Sequence, residues 1–387
     1  MCCRRAERNR FASALASLAL VAAACGERAE PAPAAAQPTL ALDPAAVDLA
    51  AVEPERPLER ATLAKSAAHQ LYPIEAGHYV YDALRGFTRR PSASQTYSFE
   101  EHAGGSYTAR TNALAMREDA EPAEVRPDLR VLVTGDSHTD GACENSESFA
   151  NRCEALLAAA DAGRTVEVLN AGNGSYSFYN YLGVLERCAG LRPHVLVVCV
   201  YGGNDWGEAL APWHYHHHGE RPRAGGDYDA RLSAALRVRD GWGRQAVNQS
   251  HNQYLYFARE PAQAAVALRA GMSVTEELRR QCARDGIRFV VAYLPPLVDV
   301  QRERILPSID EVDAALGVDA AALAITDALA DRYLAWCARE KIETLDLRPL
   351  LRAHAEEPLY WRADLHLSVR GHELVGAALA ERLASPR

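Results

Sequence analysis

The chain has no excess of positive charge. Its formal net charge is -9 over 387 residues, whereas proteins that bind nucleic acid present basic faces to phosphate, so nucleic acid is not an expected partner. The sequence contains no Cys-x-x-Cys pair, no His-Glu-x-x-His and no Walker-type Gly-Lys-Ser/Thr. Dithiol redox chemistry, zinc-protease chemistry and P-loop phosphate binding are therefore without their residues. No segment repeats at a fixed period, which excludes solenoids and propellers. The Gly-x-Ser-x-Gly elbow of common lipases is missing as well. Nothing calls for a metal or a cofactor.

A run long enough to span a bilayer is also lacking near the start. Phe11 to Ala24 is uncharged and rich in Ala, Leu and Val, but it falls short of the ~20 residues a spanning helix needs. Arg4, Arg5, Arg8 and Arg10 precede it, and Val21-Ala22-Ala23-Ala24-Cys25-Gly26 closes it. Basic, apolar and small-residue segments in that order read as an export signal over 1–24. Small residues ahead of a Cys resemble a bacterial lipobox, which implies Cys25 as the lipidated first residue of a cell-envelope lipoprotein, on the periplasmic or outer-membrane face. Membrane attachment would then run through that lipid.

Residues 27 to about 57 are rich in Ala, Pro and acid and hold no aromatics. Such a composition buries too little to fold, so 25–57 reads as a disordered tether. Aromatics return at Tyr72, Tyr79, Tyr81, Phe87, Tyr97, Phe99 and Tyr107, and the short, broken pattern over 58–128 predicts a hairpin or two. Beyond Cys25, six cysteines remain: Cys143, Cys153, Cys188, Cys199, Cys282 and Cys337. Cys143 and Cys153 flank one short polar loop and are the expected disulfide pair in an oxidising compartment. Cys199 sits inside an apolar strand and reads as a buried thiol.

From Leu129 the rhythm changes. Strands are predicted at 129–134, 166–169, 194–201, 287–293 and 342–345. Helices are predicted at 148–160, 178–188, 261–284 and 321–340, with a last one capped by Ser368 and running to about 383. Alternation of this kind implies an α/β domain over 129–387: a doubly wound, mostly parallel five-stranded sheet covered on both faces, three layers in all. Ligands in such sheets bind beyond the carboxyl ends of the strands.

Four polar clusters fall at that edge. Gly135-Asp136-Ser137-His138 follows the first strand, Asn170-Ala171-Gly172-Asn173-Gly174-Ser175-Tyr176-Ser177 the second, and Gly202-Gly203-Asn204-Asp205 the third. Asp364-Leu365-His366 precedes the last helix. A serine hydroxyl needs a base to take its proton. His366 can be that base, and Asp364 can orient its ring if 364–366 is extended, since residues i and i+2 then share a side. Backbone N–H groups at Ser137 and at Gly174 or Ser175, with the side-chain amide of Asn204, can serve a developing oxyanion. Asp136 reads as the residue that organises the turn. Gly135 permits that turn, and Gly202 and Gly203 leave room for the chain to turn ahead of Asn204. His138 stands too near Ser137 in sequence to act as its base and reads as a wall or substrate contact. The cluster His214, His216, His217 and His218 reads as a polar loop, and 206–260 as the segment that shapes the pocket.

Each cluster alone has a plain structural reading; all four, in this order, resemble the SGNH (GDSL-type) hydrolase superfamily. Gly135-Asp136-Ser137 matches its first block, Gly202-Gly203-Asn204-Asp205 its third, and Asp364 with His366 its fifth. The second block departs, because Ser175 stands where a glycine is usual. The resemblance covers about 129–383 and implies a flavodoxin-like α/β/α fold and a metal-free serine esterase. Its substrates would be small acyl or acetyl esters, O-acetylated glycans among them. The same residues would also suit an O-acetyltransferase for exported polysaccharide, and a glycan-binding lipoprotein on a retired hydrolase fold is the non-catalytic counterpart.

Overall fold

The computed structural model describes residues 48–58, 60, 62–72, 74, 78–238, 242–305 and 308–384. The export signal and Cys25 lie outside the described residues. Two hairpins come first: β1 (Tyr79–Asp82) pairs with β2 (Gly86–Arg89), and β3 (Ser94–Ser98) with β4 (Ser106–Arg110), both antiparallel. Then follow β5 (Leu129–Gly135), β6 (Val166–Asn170), β7 (Val195–Tyr201), β8 (Arg288–Leu294) and β9 (Glu343–Asp346). These five form one parallel sheet in the order β6-β5-β7-β8-β9.

Burial explains the sequence of the central strands. Every residue of β5 and of β7 is buried, so both faces need apolar side chains and no alternation appears. Helices Phe149–Ala160 and Val369–Ala384 pack on each other at one face of the sheet. Helices Phe178–Cys188, Pro261–Asp285 and Ile325–Arg339 pack together at the other. The long helix Pro261–Asp285 starts with Pro at its first turn and stops at Gly286, whose φ of 70° suits a residue without a Cβ.

The strand order puts the first strand of the sheet, β5, between β6 and β7. Connections leave it toward one edge and then resume on its other side, and the crevice opens where that reversal occurs, beyond the ends of β5 and β7. Ser137 follows β5 and Asn204 follows β7, so the topology carries both to the same opening.

Four expectations change. The tether does not extend to 57: Val52 is buried, the carbonyls of Leu49 and Val52 accept from the Arg332 guanidinium, and Glu53 pairs with Arg339. The single helix expected over 321–340 is two, Ala320–Leu323 and Ile325–Arg339, because Asp319 caps the first and Ala324 flattens to ψ -7° between them. Cys143 and Cys153 are separate buried thiols; Cys143 sits against Gly141, whereas Cys153 lies on its helix where Gly376 of the last helix abuts. The imidazoles at 214–218 begin within a helix, Leu210–His216, and not in a loop. His214 bonds Gln263, His217 bonds Glu55, and His216 is buried beside Tyr179.

Candidate active site

Gly135 ends β5, and its reason for being glycine is contact. A Cβ there would meet Thr139 Oγ1 at 2.0 Å and the Cys199 carbonyl at 2.8 Å. The chain turns at once into a short helix, Ser137–Asp140, with Asp136 as its cap: Asp136 Oδ1 accepts the His138 N–H at 2.9 Å. Burial pushes the Asp136 carboxyl upward, against its backbone hydrogen bonds. Its other oxygen lies 3.4 Å from Ser137 Oγ.

Ser137 Oγ donates to His366 Nε2 at 2.8 Å, and His366 Nδ1 donates to Asp364 Oδ2 at 3.2 Å. Asp364 and His366 meet through a turn and not through an extended segment: Leu365 between them has φ 67°, and Asp364 Oδ1 also accepts the His366 N–H. Leu365 is an unusual residue for that conformation. Its side chain is buried, so core packing holds what the backbone alone would not choose. Burial alone would lower the basicity of His366; the Asp364 carboxylate outweighs it, with Asp136 and Asp140 adding to the same effect, and the imidazole ends above its ordinary range. Ser368 caps the next helix, accepting the Gly371 N–H at 3.2 Å, which stops that helix from running back into the turn.

The second cluster contributes Ser175, whose φ is 60°. That value accounts for the glycine usual at this place, and Ser tolerates it at a cost. A Cβ at Gly174 would lie 2.8 Å from the Tyr79 hydroxyl and 3.9 Å from Ser137 Cβ, so this turn passes directly over the serine. The third cluster brings Asn204 to the same cleft. Gly202 and Gly203 do not serve conformational freedom here; a Cβ would strike the Tyr293 hydroxyl at 2.0 Å and the Gln249 carbonyl at 2.2 Å respectively. Asp205 locks the loop by accepting from the Tyr201 N–H and the Tyr181 hydroxyl. The cleft, about 120 Å³, is lined by Ser137, Ser175, Gly203 and Asn204 together with residues of 207–253.

His138 is neither wall nor substrate contact. It is fully buried, stacked 3.9 Å from the Tyr201 ring, and burial holds it well below the ordinary imidazole range. Its role comes through Gln249, which no motif or spacing singles out. The Leu367 N–H points at His138 Nδ1 (3.3 Å), so that nitrogen accepts and Nε2 carries the proton. Nε2 then donates to Gln249 Oε1 at 3.1 Å, which leaves the Gln249 amide nitrogen facing His366 Nε2 at 3.2 Å. Gln249 sits in a π-helical turn, Val247–His251, a local irregularity frequent at functional sites. Residues 111 positions apart in sequence leave no periodic trace by which to pair them.

The profile of the GDSL-like lipase/acylhydrolase family matches residues 133–374. The chain belongs to that family. It is a carboxylic ester hydrolase with the three-layer SGNH fold. Among solved structures it is similar to an alpha/beta hydrolase enzyme from the metagenome of Lake Arreo, Spain, at 15% identity and a TM-score of 0.39, over 67% of this chain and 99% of that one. It is similar to the acetyl xylan esterase AlAXEase at 14% identity and a TM-score of 0.37, over 66% and 100%. An acetylxylan esterase from Geobacillus stearothermophilus is 13% identical with a TM-score of 0.38, over 68% and 98%. No curated protein matches the chain. With an ester hydrolase family shown, the non-catalytic reading falls away.

Proposed function

We propose that this hydrolase is an exported serine esterase that removes short acyl groups, acetyl above all, from polar alcohols such as glycan hydroxyls. Ser137 Oγ attacks the ester carbonyl while its proton passes to His366 Nε2, and Asp364 holds the ring and the charge that forms on it. The oxyanion is met by the N–H of Ser137, an N–H of the Gly174–Ser175 turn and the Asn204 amide. The alcohol leaves with the proton from His366, and a water activated by the same imidazole frees the acid from the acyl-enzyme.

The observation that carries this reading is the continuous hydrogen-bonded chain from Ser137, which lines the cleft, through His366 to Asp364. Short acyl groups are favoured by the lining: Asn248, Ser250, Asn252 and Gln253 are polar, and Val247 is the sole aliphatic side chain in it. A long acyl chain would need an apolar wall to repay its burial. A serine-directed fluorophosphonate should label Ser137, and Ser137→Ala should lose p-nitrophenyl acetate hydrolysis; an adduct elsewhere would overturn the assignment. Product analysis with an acetylated glycan and a free sugar acceptor separates hydrolysis, which releases acetate, from transfer, which leaves it on the acceptor.

Export and attachment through Cys25 complete the proposal. They rest on the basic, apolar and small-residue order that ends at that cysteine. Cys25→Ser should release the protein from the membrane fraction or block its processing, and a native protein soluble without detergent would count against lipidation. More than one acyl chain is needed for a firm hold.

A further inference from the structure

Arg221 lines the same cleft as Ser137. Its guanidinium lies 3.9 Å above the ring of Tyr256, and the Tyr256 hydroxyl donates to the carbonyl of Pro222 at 2.8 Å. One side chain thus supports the cation from below and pins the loop that carries it. Tyr256 is itself buried, with Tyr228 edge-on to it, so the shelf is part of the core. Among the described residues Arg221 makes no ion pair and no hydrogen bond, and stacking uses only the face of the guanidinium. The donors along its edge remain for a ligand.

We propose that Arg221 is an anion-recognition residue of this cleft and that the preferred substrates are esters whose alcohol part carries a carboxylate, such as an O-acylated acidic sugar. The inference rests on reading the Ser137 cleft as the site of ester hydrolysis and adds the charge of the substrate to it. A planar fork of N–H donors matches a carboxylate in two places at once, which is why arginine and not lysine suits this task. The whole chain is acidic, with a formal charge of -9, so a fixed cation in the cleft stands against the background field. The nearest acid in the cleft does not cancel it. Glu208 lines the same space, its Oε2 is enclosed without a hydrogen-bond partner among the described residues, and burial, with Asp136 beyond it, pushes its carboxyl up to about 8 against the opposing pull of Arg221 itself. At neutral pH Glu208 is therefore mostly protonated and offsets little of the charge of Arg221.

The test compares meta and para acetoxybenzoates with the corresponding acetoxybenzamides, nearly equal in shape and different in charge, and the ratio in Arg221→Gln cancels the difference in intrinsic reactivity. The expected result is a higher kcat/KM for at least one acetoxybenzoate than for its amide, and a fall of that ratio by about 10–100-fold in Arg221→Gln, the loss of one charge-assisted pair. Arg221→Lys should restore part of it. If Arg221→Gln does not fold, the unaltered enzyme still decides: benzoate should compete with substrate more strongly than benzamide, and added salt should weaken benzoate alone. Equal kcat/KM for both series, or inhibition blind to charge, overturns the proposal while leaving esterase activity in place. Loss of both series in the unaltered enzyme, or their persistence in Ser137→Ala, would instead overturn the reading of the site.

Discussion

His366 Nε2 is approached by two donors, Ser137 Oγ at 2.8 Å and the Gln249 amide at 3.2 Å. A neutral imidazole nitrogen has one lone pair in its plane, so the two compete for it. A donor facing that nitrogen favours the neutral ring and opposes protonation. The Asp364 carboxylate acts the other way, and the imidazole ends above its ordinary value. The sign follows directly. As the proposed base, His366 works only when unprotonated, so kcat/KM should fall as pH drops through a value above ~6.5, the unperturbed imidazole. Gln249→Met keeps the volume and removes the donor; its acid limb should move to still higher pH. A limb at or below that of the unaltered enzyme would show that Gln249 only fills space. His138 and His372, the neighbouring imidazoles, are both lowered by burial, His372 to about 3, so neither titrates in the window where His366 does.

At the level of elements, the end of β7 is the part whose function is most separable from its structure. Asp205 fastens the loop through Tyr201 and Tyr181, and Gly203 lets the Gln249 backbone come close. Asn204 between them lines the cleft, and its side chain makes no hydrogen bond among the described residues, so its amide N–H stays available to donate into the cleft. A residue that held its own loop would spend that group locally. Asn204→Ala should therefore lower kcat by ~10²–10³ with KM little changed, the signature of an interaction made in the tetrahedral state. A lowered melting temperature with kcat intact would make Asn204 a structural residue. Gly203→Ala should behave in the opposite manner and cost folding, since its Cβ would meet backbone at 2.2 Å.

Across the whole molecule, the segment ahead of β5 is part of the site's foundation. Arg117, from that segment, is fully buried and donates to Asn145, Asp140, and the carbonyls of Gly141 and Cys143. Arg89 of β2 pairs with Asp140 too. Both therefore grip the short helix that begins at Ser137. On the adjoining side, Phe87 packs edge-on against Tyr79 and Tyr176, which ties β2 to the turn that carries Ser175. Removing Arg117 would leave buried acceptors and part of the charge on Asp140 without a partner. Arg117→Ala should cost about 3–5 kcal/mol of unfolding free energy in urea, the range for breaking a buried ion pair. A loss under about 1 kcal/mol, the range of an exposed pair, would mean the segment merely rests on the domain.

What the sequence determined by itself was whatever depends on local order. Apolar runs of four to eight residues separated by amphipathic stretches dictate a parallel sheet with both faces covered, because buried strands and covering helices differ in period and length. The order of Ser137, Ser175, Asn204 and His366 along the chain could be read for the same reason: each follows a strand or precedes a helix whose signal is strong. Tertiary structure decided what depends on distant partners. It turned the expected extended 364–366 into a turn with Leu365 at φ 67°, since a buried leucine can repay a conformation its backbone disfavours. It gave the glycines before Asn204 their purpose through Tyr293 and Gln249, and it withdrew His138 from the cleft by stacking it on Tyr201. Gln249, Arg117 and Arg221 carry no motif. A hydrogen bond, a buried ion pair and a stacked cation are satisfied by proximity in space, and the linear sequence records no distance between residues that meet only when the chain has folded.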